Sequence, residues 1–149
     1  MIHNKHNNNN NLNFKKTTSA RRAVMQALYT WNVSKDDLLT IEQYYLQERN
    51  PKSFNLKHFL LLLRNIPKNI EQIDQAISSY SNRTIDQLDI IEICILRIAS
   101  YEILFCPEIP LKVIISEALN LATMFGNNLS YKCINSVLDL LAKNSRKEI

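Results

Sequence analysis

The stretch IDQLDIIEICILRIASYEILF, residues 85–105, decides how this chain folds. Leu88, Ile91, Ile95 and Ile98 recur at helical spacing, and Ile90, Ile93 and Leu96 fill the remaining faces. A helix that is apolar nearly all round belongs at the centre of a larger helical body. Asp86, Asp89, Glu92, Arg97 and Glu102 interrupt the run, so it never offers the ~20 unbroken apolar residues that cross a bilayer. The segment therefore reads as a core helix of a soluble protein with no membrane association. Thr84-Ile85-Asp86-Gln87, just before it, has the form of a capping box and predicts the helix start there.

Amphipathic helices flank this centre on both sides. Val24, Ala27, Leu28 and Trp31 stand at i, i+3, i+4 and i+7 after Thr18 or Ser19, which are good N-cap residues. Ser34-Lys35-Asp36-Asp37 resembles a second capping box before Leu38, Ile41 and Tyr45. Leu56, Phe59, Leu60 and Leu63 make a third stripe, and Ile70, Ile73, Ile77 and Tyr80 continue the period beyond Pro67. Proline removes a helical hydrogen bond and clashes with the preceding turn, which predicts a kink or break at residues 65–67. After the central helix, Pro110 suits a first-turn position, and Ile114, Ala118, Leu121, Ala122 and Phe125 lead to a stop at Gly126. Ile134, Val137, Leu138 and Leu141 give the closing helix. No 20–50 residue period repeats, which disfavours a solenoid.

Composition narrows the class further. The chain has 149 residues, 46% of them hydrophobic and 21% charged, enough for one domain with a sizeable core. A single glycine argues against hairpin-rich folds and Gly-rich phosphate loops, which need positive φ repeatedly. Cys94, Cys106 and Cys133 lie in helical patterns without metal-ligand spacing, so they read as reduced thiols, with neither a disulfide framework nor a zinc site. Of the three histidines only His58 falls in the folded body, inside an apolar helix, which leaves little for Ser-His or Cys-His chemistry. We expect no enzyme activity, no catalytic residue, no cofactor and no metal. The N-terminus lacks the apolar segment of a secretory signal, which makes the cytoplasm the expected location.

The net charge of +4 is unevenly spread. Residues 1–22 contain Lys5, Lys15, Lys16, Arg21 and Arg22 and no acid, whereas residues 23–142 hold 10 basic against 13 acidic side chains. A basic arm leading into a helix suits phosphate-backbone contact, because each neutralised phosphate releases condensed counterions. A solubilising tail has the same composition. The asparagine-rich run 7–13 has little to bury and is expected to be disordered. The expected organisation is a disordered basic arm at 1–17, a helical domain at 18–143 and a basic tail at 144–149.

Four strings carry a resemblance: ARRAVMQALYTW (20–31), ILRIASYEIL (95–104), IPLKVIISEALNLATMFG (109–126) and INSVLDLLA (134–142). Each alone could be any amphipathic helix, but together, in this order and spacing, they resemble the bacterial transcription antitermination factor NusB family over about residues 20–142. The resemblance implies an all-α fold, a compact bundle of about seven helices in two packed helical subdomains. It further implies binding of single-stranded boxA-like RNA together with the ribosomal protein NusE, within an RNA polymerase antitermination complex acting notably on ribosomal RNA operons. It admits both monomers and homodimers.

Matched position by position, the resemblance places Arg21 at an RNA contact, with Lys15, Lys16 and Arg22 adding charge nearby. Tyr80 and Arg83 match an aromatic and a basic RNA-contacting position, although Tyr80 also continues a core stripe. Lys132 matches a basic position at the start of the last helix, where a solvated lysine would look the same. Tyr29, Asp86 and Glu92 match the NusE-facing surface; Asp86 would equally suit a helix N-terminus through the macrodipole. Arg97, inside the apolar helix, is expected to be paired. Two positions depart from the family string Phe-Val-Asn-Gly-Val-Leu-Asp: Cys133 replaces a phenylalanine and Ser136 a glycine. The lost ring removes a stacking surface worth ~1–3 kcal/mol per base, unless Tyr131 supplies one, and Ser136 adds bulk at a close backbone approach. The alternative reading is a helical protein-interaction scaffold with weakened RNA binding.

Overall fold

The computed structural model describes residues 2–146, with side chains from residue 10 onward. Among them the chain forms seven α-helices and no strand: α1 (Ile2–Ser34), α2 (Leu38–Glu48), α3 (Leu56–Lys68), α4 (Ile70–Tyr80), α5 (Ile90–Phe105), α6 (Leu111–Phe125) and α7 (Asn128–Ser145). A single 3₁₀ turn, Ile85–Gln87, precedes α5. The helices fall into two compact units, Met1–Arg64 and Asn65–Ile149, with the boundary inside α3.

In the first unit α1 buries Ala20, Ala23, Val24, Ala27 and Leu28, and α2 buries Ile41 and Tyr45. The Phe59 ring meets Phe54 edge-on at 5.4 Å and Tyr45 at 6.0 Å. Aromatic pairs in such offset geometry add to the gain from area burial. α1 does not begin at Thr18 or Ser19. The helix runs back through the asparagine-rich stretch to Ile2, because adding a turn to an existing helix avoids the cost of nucleating one. Thr18 lies inside it, its hydroxyl donating to the Phe14 carbonyl at 3.1 Å. At the other end Ser34 closes α1 and does not open α2: its hydroxyl donates to Thr30 O at 2.8 Å. The next residue, Lys35, takes φ 58°, a left-handed position usually given to glycine.

In the second unit every α5 residue from Glu92 to Ile103 is buried, and α5 touches α4, α6 and α7. Each fully buried Leu or Ile there contributes roughly 1.5–3 kcal/mol. Arg97 is paired, as expected: Nε and Nη2 donate to the two Asp74 carboxylate oxygens at 2.9 and 2.8 Å, tying α5 to α4. The Thr84 capping box is present, with the Thr84 N–H donating to Gln87 Oε1 at 3.1 Å, but it caps the 3₁₀ turn. The cap of α5 is Asp89, whose Oδ1 accepts from Ile91 N at 3.3 Å. The expected break near Pro67 falls two residues later, at Asn69, because α3 carries the proline in its last turn. Gly126 does end α6, but at φ −108°; an added Cβ would stand 2.9 Å from Ala122 O and 3.0 Å from Ser130 Cβ. Close packing, not a left-handed turn, requires the glycine.

The segment 144–149 was expected to be a basic tail. Residues 147–149 lie outside the described region, and Arg146 is no loose cation. Its guanidinium donates to Ile103 O, Ile109 O, Glu102 O and Cys106 O at 3.0, 2.6, 2.8 and 2.7 Å. Three of these carbonyls belong to the end of α5, where the guanidinium adds to the backbone donors Cys106 N on Glu102 O and Ile109 N on Cys106 O, both at 3.0 Å.

Candidate nucleic-acid interface

On α1 the buried positions 20, 21, 23, 24, 25, 27 and 28 form one continuous arc, and Lys15, Arg22 and Tyr29, seven residues apart, share the opposite side. This phase separates the two adjacent arginines. Arg21 falls on the core arc with Val24 and Leu28, is 3% exposed and is engaged within the protein. The expected role of Arg21 as a phosphate contact therefore gives way to a structural one. Lys15 is exposed and Lys16 and Arg22 are half-buried. None of these three forms an ion pair with a carboxylate among the described residues, and Arg22 Nε is buried without an acceptor. Asn55 steadies this part of α1, its N–H donating to Lys16 O and its side chain to Thr17 Oγ1, both at 3.0 Å. Tyr29 is 42% exposed.

In the second unit the candidates gather where the loop after α4 meets α7. Tyr80, the last residue of α4, is half-buried, neither a core ring nor a free one. Arg83 Nη2 donates to Glu92 Oε2 at 2.5 Å. The Cys133 thiol and the Glu92 carboxylate both favour the charged guanidinium and push the Arg83 pKa upward. Burial raises the Cys133 pKa, and hydrogen bonding to Arg83 pulls it partly back. Lys132 beside it is exposed, as is Asp86 on the 3₁₀ turn. Glu92 does not fit the partner-facing surface on which the resemblance placed it: its side chain is 5% exposed and neutralises Arg83.

The two departures at α7 resolve differently. Ser136 is exposed, so no close backbone approach is crowded there. Cys133 fills its place with a thiol against Arg83, and Tyr131 does not stand in for the missing ring, since residues two apart on a helix point to different faces. Tyr131 is itself 40% exposed. The pairing of Asp74 with Arg97 and the clasp made by Arg146 went unread in the sequence, because both depend on residues far apart in the chain. Among the described residues no three His, Cys, Asp or Glu side chains come together as metal ligands would. No described helix is long and apolar enough to cross a membrane.

The described residues thus define an all-helical class of protein with exposed or half-buried cations and tyrosines in both units. The NusB family model matches residues 18–143. A transcription antitermination protein NusB from Colwellia psychrerythraea is 39% identical over 129 residues, which span 87% of this chain and 94% of that protein. The namesake protein from Actinobacillus succinogenes is 41% identical over 123 residues, covering 83% and 87% of the two chains. Among solved structures, NusB of T. maritima superposes with a TM-score of 0.75 at 30% identity, covering 87% of this chain and 92% of that one. The chain belongs to the NusB family.

Proposed function

We propose that this chain is a non-catalytic transcription antitermination factor that binds single-stranded boxA-like RNA together with NusE, in the cytoplasm, as part of a transcribing RNA polymerase complex that reads ribosomal RNA operons. The observation that carries the reading is the set Lys15, Lys16 and Arg22, cations that no described carboxylate neutralises, on a segment without acids. Such a surface gains affinity by releasing counterions from the RNA backbone. Tyr80, Arg83 and Lys132 supply the aromatic and basic contacts of the second unit, and Tyr29 and Asp86, both exposed, face NusE. Arg21 and Glu92 drop out of the contact sets because both are buried.

Fluorescence anisotropy of a labelled boxA-like RNA across a salt series, with and without NusE, tests this. Affinity should fall steeply with salt, and replacing Lys15, Lys16 and Arg22 together by alanine should flatten the logarithmic slope by about 2, at ~0.7 per single-strand phosphate contact. Absence of RNA binding even with NusE present would overturn it. The second reading, a protein-interaction scaffold, draws on Cys133 in place of a stacking ring and on the neutralisation of Arg83 by Glu92. It predicts NusE binding that persists while the RNA signal stays weak at low salt.

A further inference from the structure

The first unit carries a groove that none of the RNA or NusE contacts uses. It is an open-sided hollow of about 450 Å³ between the end of α1 and the start of α2, lined by Thr30, Asp36, Thr40, Ile41, Tyr44 and Tyr45. Its floor is Ile41 and Tyr45, both buried. The polar atoms of the floor are already satisfied: Thr30 donates to Gln26 O at 3.0 Å, and the Tyr45 phenol is hydrogen-bonded to Thr30. What remains unsatisfied lies at the rim. The Asp36 carboxylate is exposed and pairs with no cation among the described residues, and the neighbouring Asp37 makes no side-chain capping bond. Tyr44, set edge-on to Tyr45 at 5.5 Å, is 59% exposed and turns its ring to solvent.

A hollow with an aromatic wall, a free carboxylate at its mouth and no cation in its lining is complementary to a flat, positively charged group. The chain shows this chemistry once already. Arg49 lies 5.6 Å over the Tyr45 ring while its Nη2 donates to Gln26 Oε1 at 3.0 Å, a guanidinium held over a tyrosine face by one hydrogen bond. Arginine suits such a place better than lysine, since its planar fork can stack and meet a carboxylate together. We propose that this groove receives an arginine side chain from a basic polypeptide partner, its guanidinium stacked on Tyr44 and hydrogen-bonded to Asp36. The occupant is defined by the groove's own chemistry, so the proposal stands or falls apart from the RNA reading.

The test uses the full chain, labelled with ¹⁵N, and capped arginine (N-acetyl-arginine methylamide) as probe, with the capped citrulline of the same shape but no charge as control. Saturable amide shifts confined to residues 30, 36, 40, 44 and 45 are expected with arginine, with at least about threefold weaker binding by citrulline. Asp36→Asn and Tyr44→Ala alter exposed side chains, should leave the remaining spectrum unchanged, and should each weaken the arginine response at least about threefold. Equal response to citrulline would mean a merely apolar occupant and overturn the proposal. So would shifts scattered over the surface, or shifts at these residues that follow protein concentration without probe and thereby mark a second copy of the chain.

Discussion

In Met1–Arg64 the cations Lys15, Lys16 and Arg22 of α1, one exposed and two half-buried, have no described carboxylate beside them, whereas in Asn65–Ile149 the arginines are bound by the protein's own oxygens. Arg83 is held by Glu92, Arg97 by both oxygens of Asp74, and Arg146 by four backbone carbonyls. The same sign of charge thus serves display in one unit and cohesion in the other. Context decides which: a carboxylate or a cluster of carbonyls draws the guanidinium inward, and its absence leaves the charge for an external anion. The first unit has its own engaged cases, Arg21 on the buried arc and the exposed Arg64 on Glu42 at 2.7 Å, so the division follows local partners and not chain position.

The sharpest way to break the comparison is at its most enclosed charge. Arg146→Ala removes four charge-assisted donations at the end of α5 and is expected to cost about 2–4 kcal/mol, read as a lower urea midpoint at unchanged slope. Arg21 and Arg22 form an internal control. Arg21→Ala should lose about 2–3 kcal/mol, as removal of a buried, partnered charge does, while Arg22→Ala should stay within roughly 0.5 kcal/mol and show its effect in RNA binding. Equal stability losses from the two would erase the distinction.

Smaller effects of opposite sign sharpen it. Ser100 on α5 is fully buried and its hydroxyl finds no partner among the described residues, so Ser100→Ala should stabilise the chain by ~1 kcal/mol in the same urea titration. Lys35→Gly should gain roughly 0.5–1 kcal/mol by relieving the left-handed backbone at φ 58°. The least effect is alkaline. Burial raises the Tyr45 pKa above 10.0, partly offset by hydrogen bonding to Thr30 and by Arg49. The unfolded phenol releases its proton first, so the stability contributed is complete below pH 10 and is lost as pH rises through the folded pKa. Tyr45→Phe should show a shallower decline above pH 10 when thermal midpoints are followed against pH.

Much of this was legible in the residues. The stripes of α1 to α7 and the central place of residues 90–105 follow from helical periodicity, and the pairing of Arg97 follows from the cost of leaving such a charge alone. Arg21 was legible as well, since it stands three residues before Val24 and seven before Leu28, on the face those residues define. The basic-arm reading weighed its charge and overlooked its phase. Two successive capping patterns stand at the start of α5, Thr84 to Gln87 and Asp89 to Glu92, and nothing local decides which one opens the long helix. The clasp of Arg146 could not be read at all, because its acceptors lie 37 to 44 residues away and are backbone atoms that any sequence would supply. The hollow at Asp36 and Tyr44 is equally a product of tertiary placement.

The Arg146 clasp also makes α5 sensitive to events far along the chain. During vectorial synthesis the buried helix emerges without its guanidinium clasp and waits for it until about forty more residues have been added. A protease that clipped after Ser145 would return the mature protein to that half-finished condition, loosening its centre by trimming its edge.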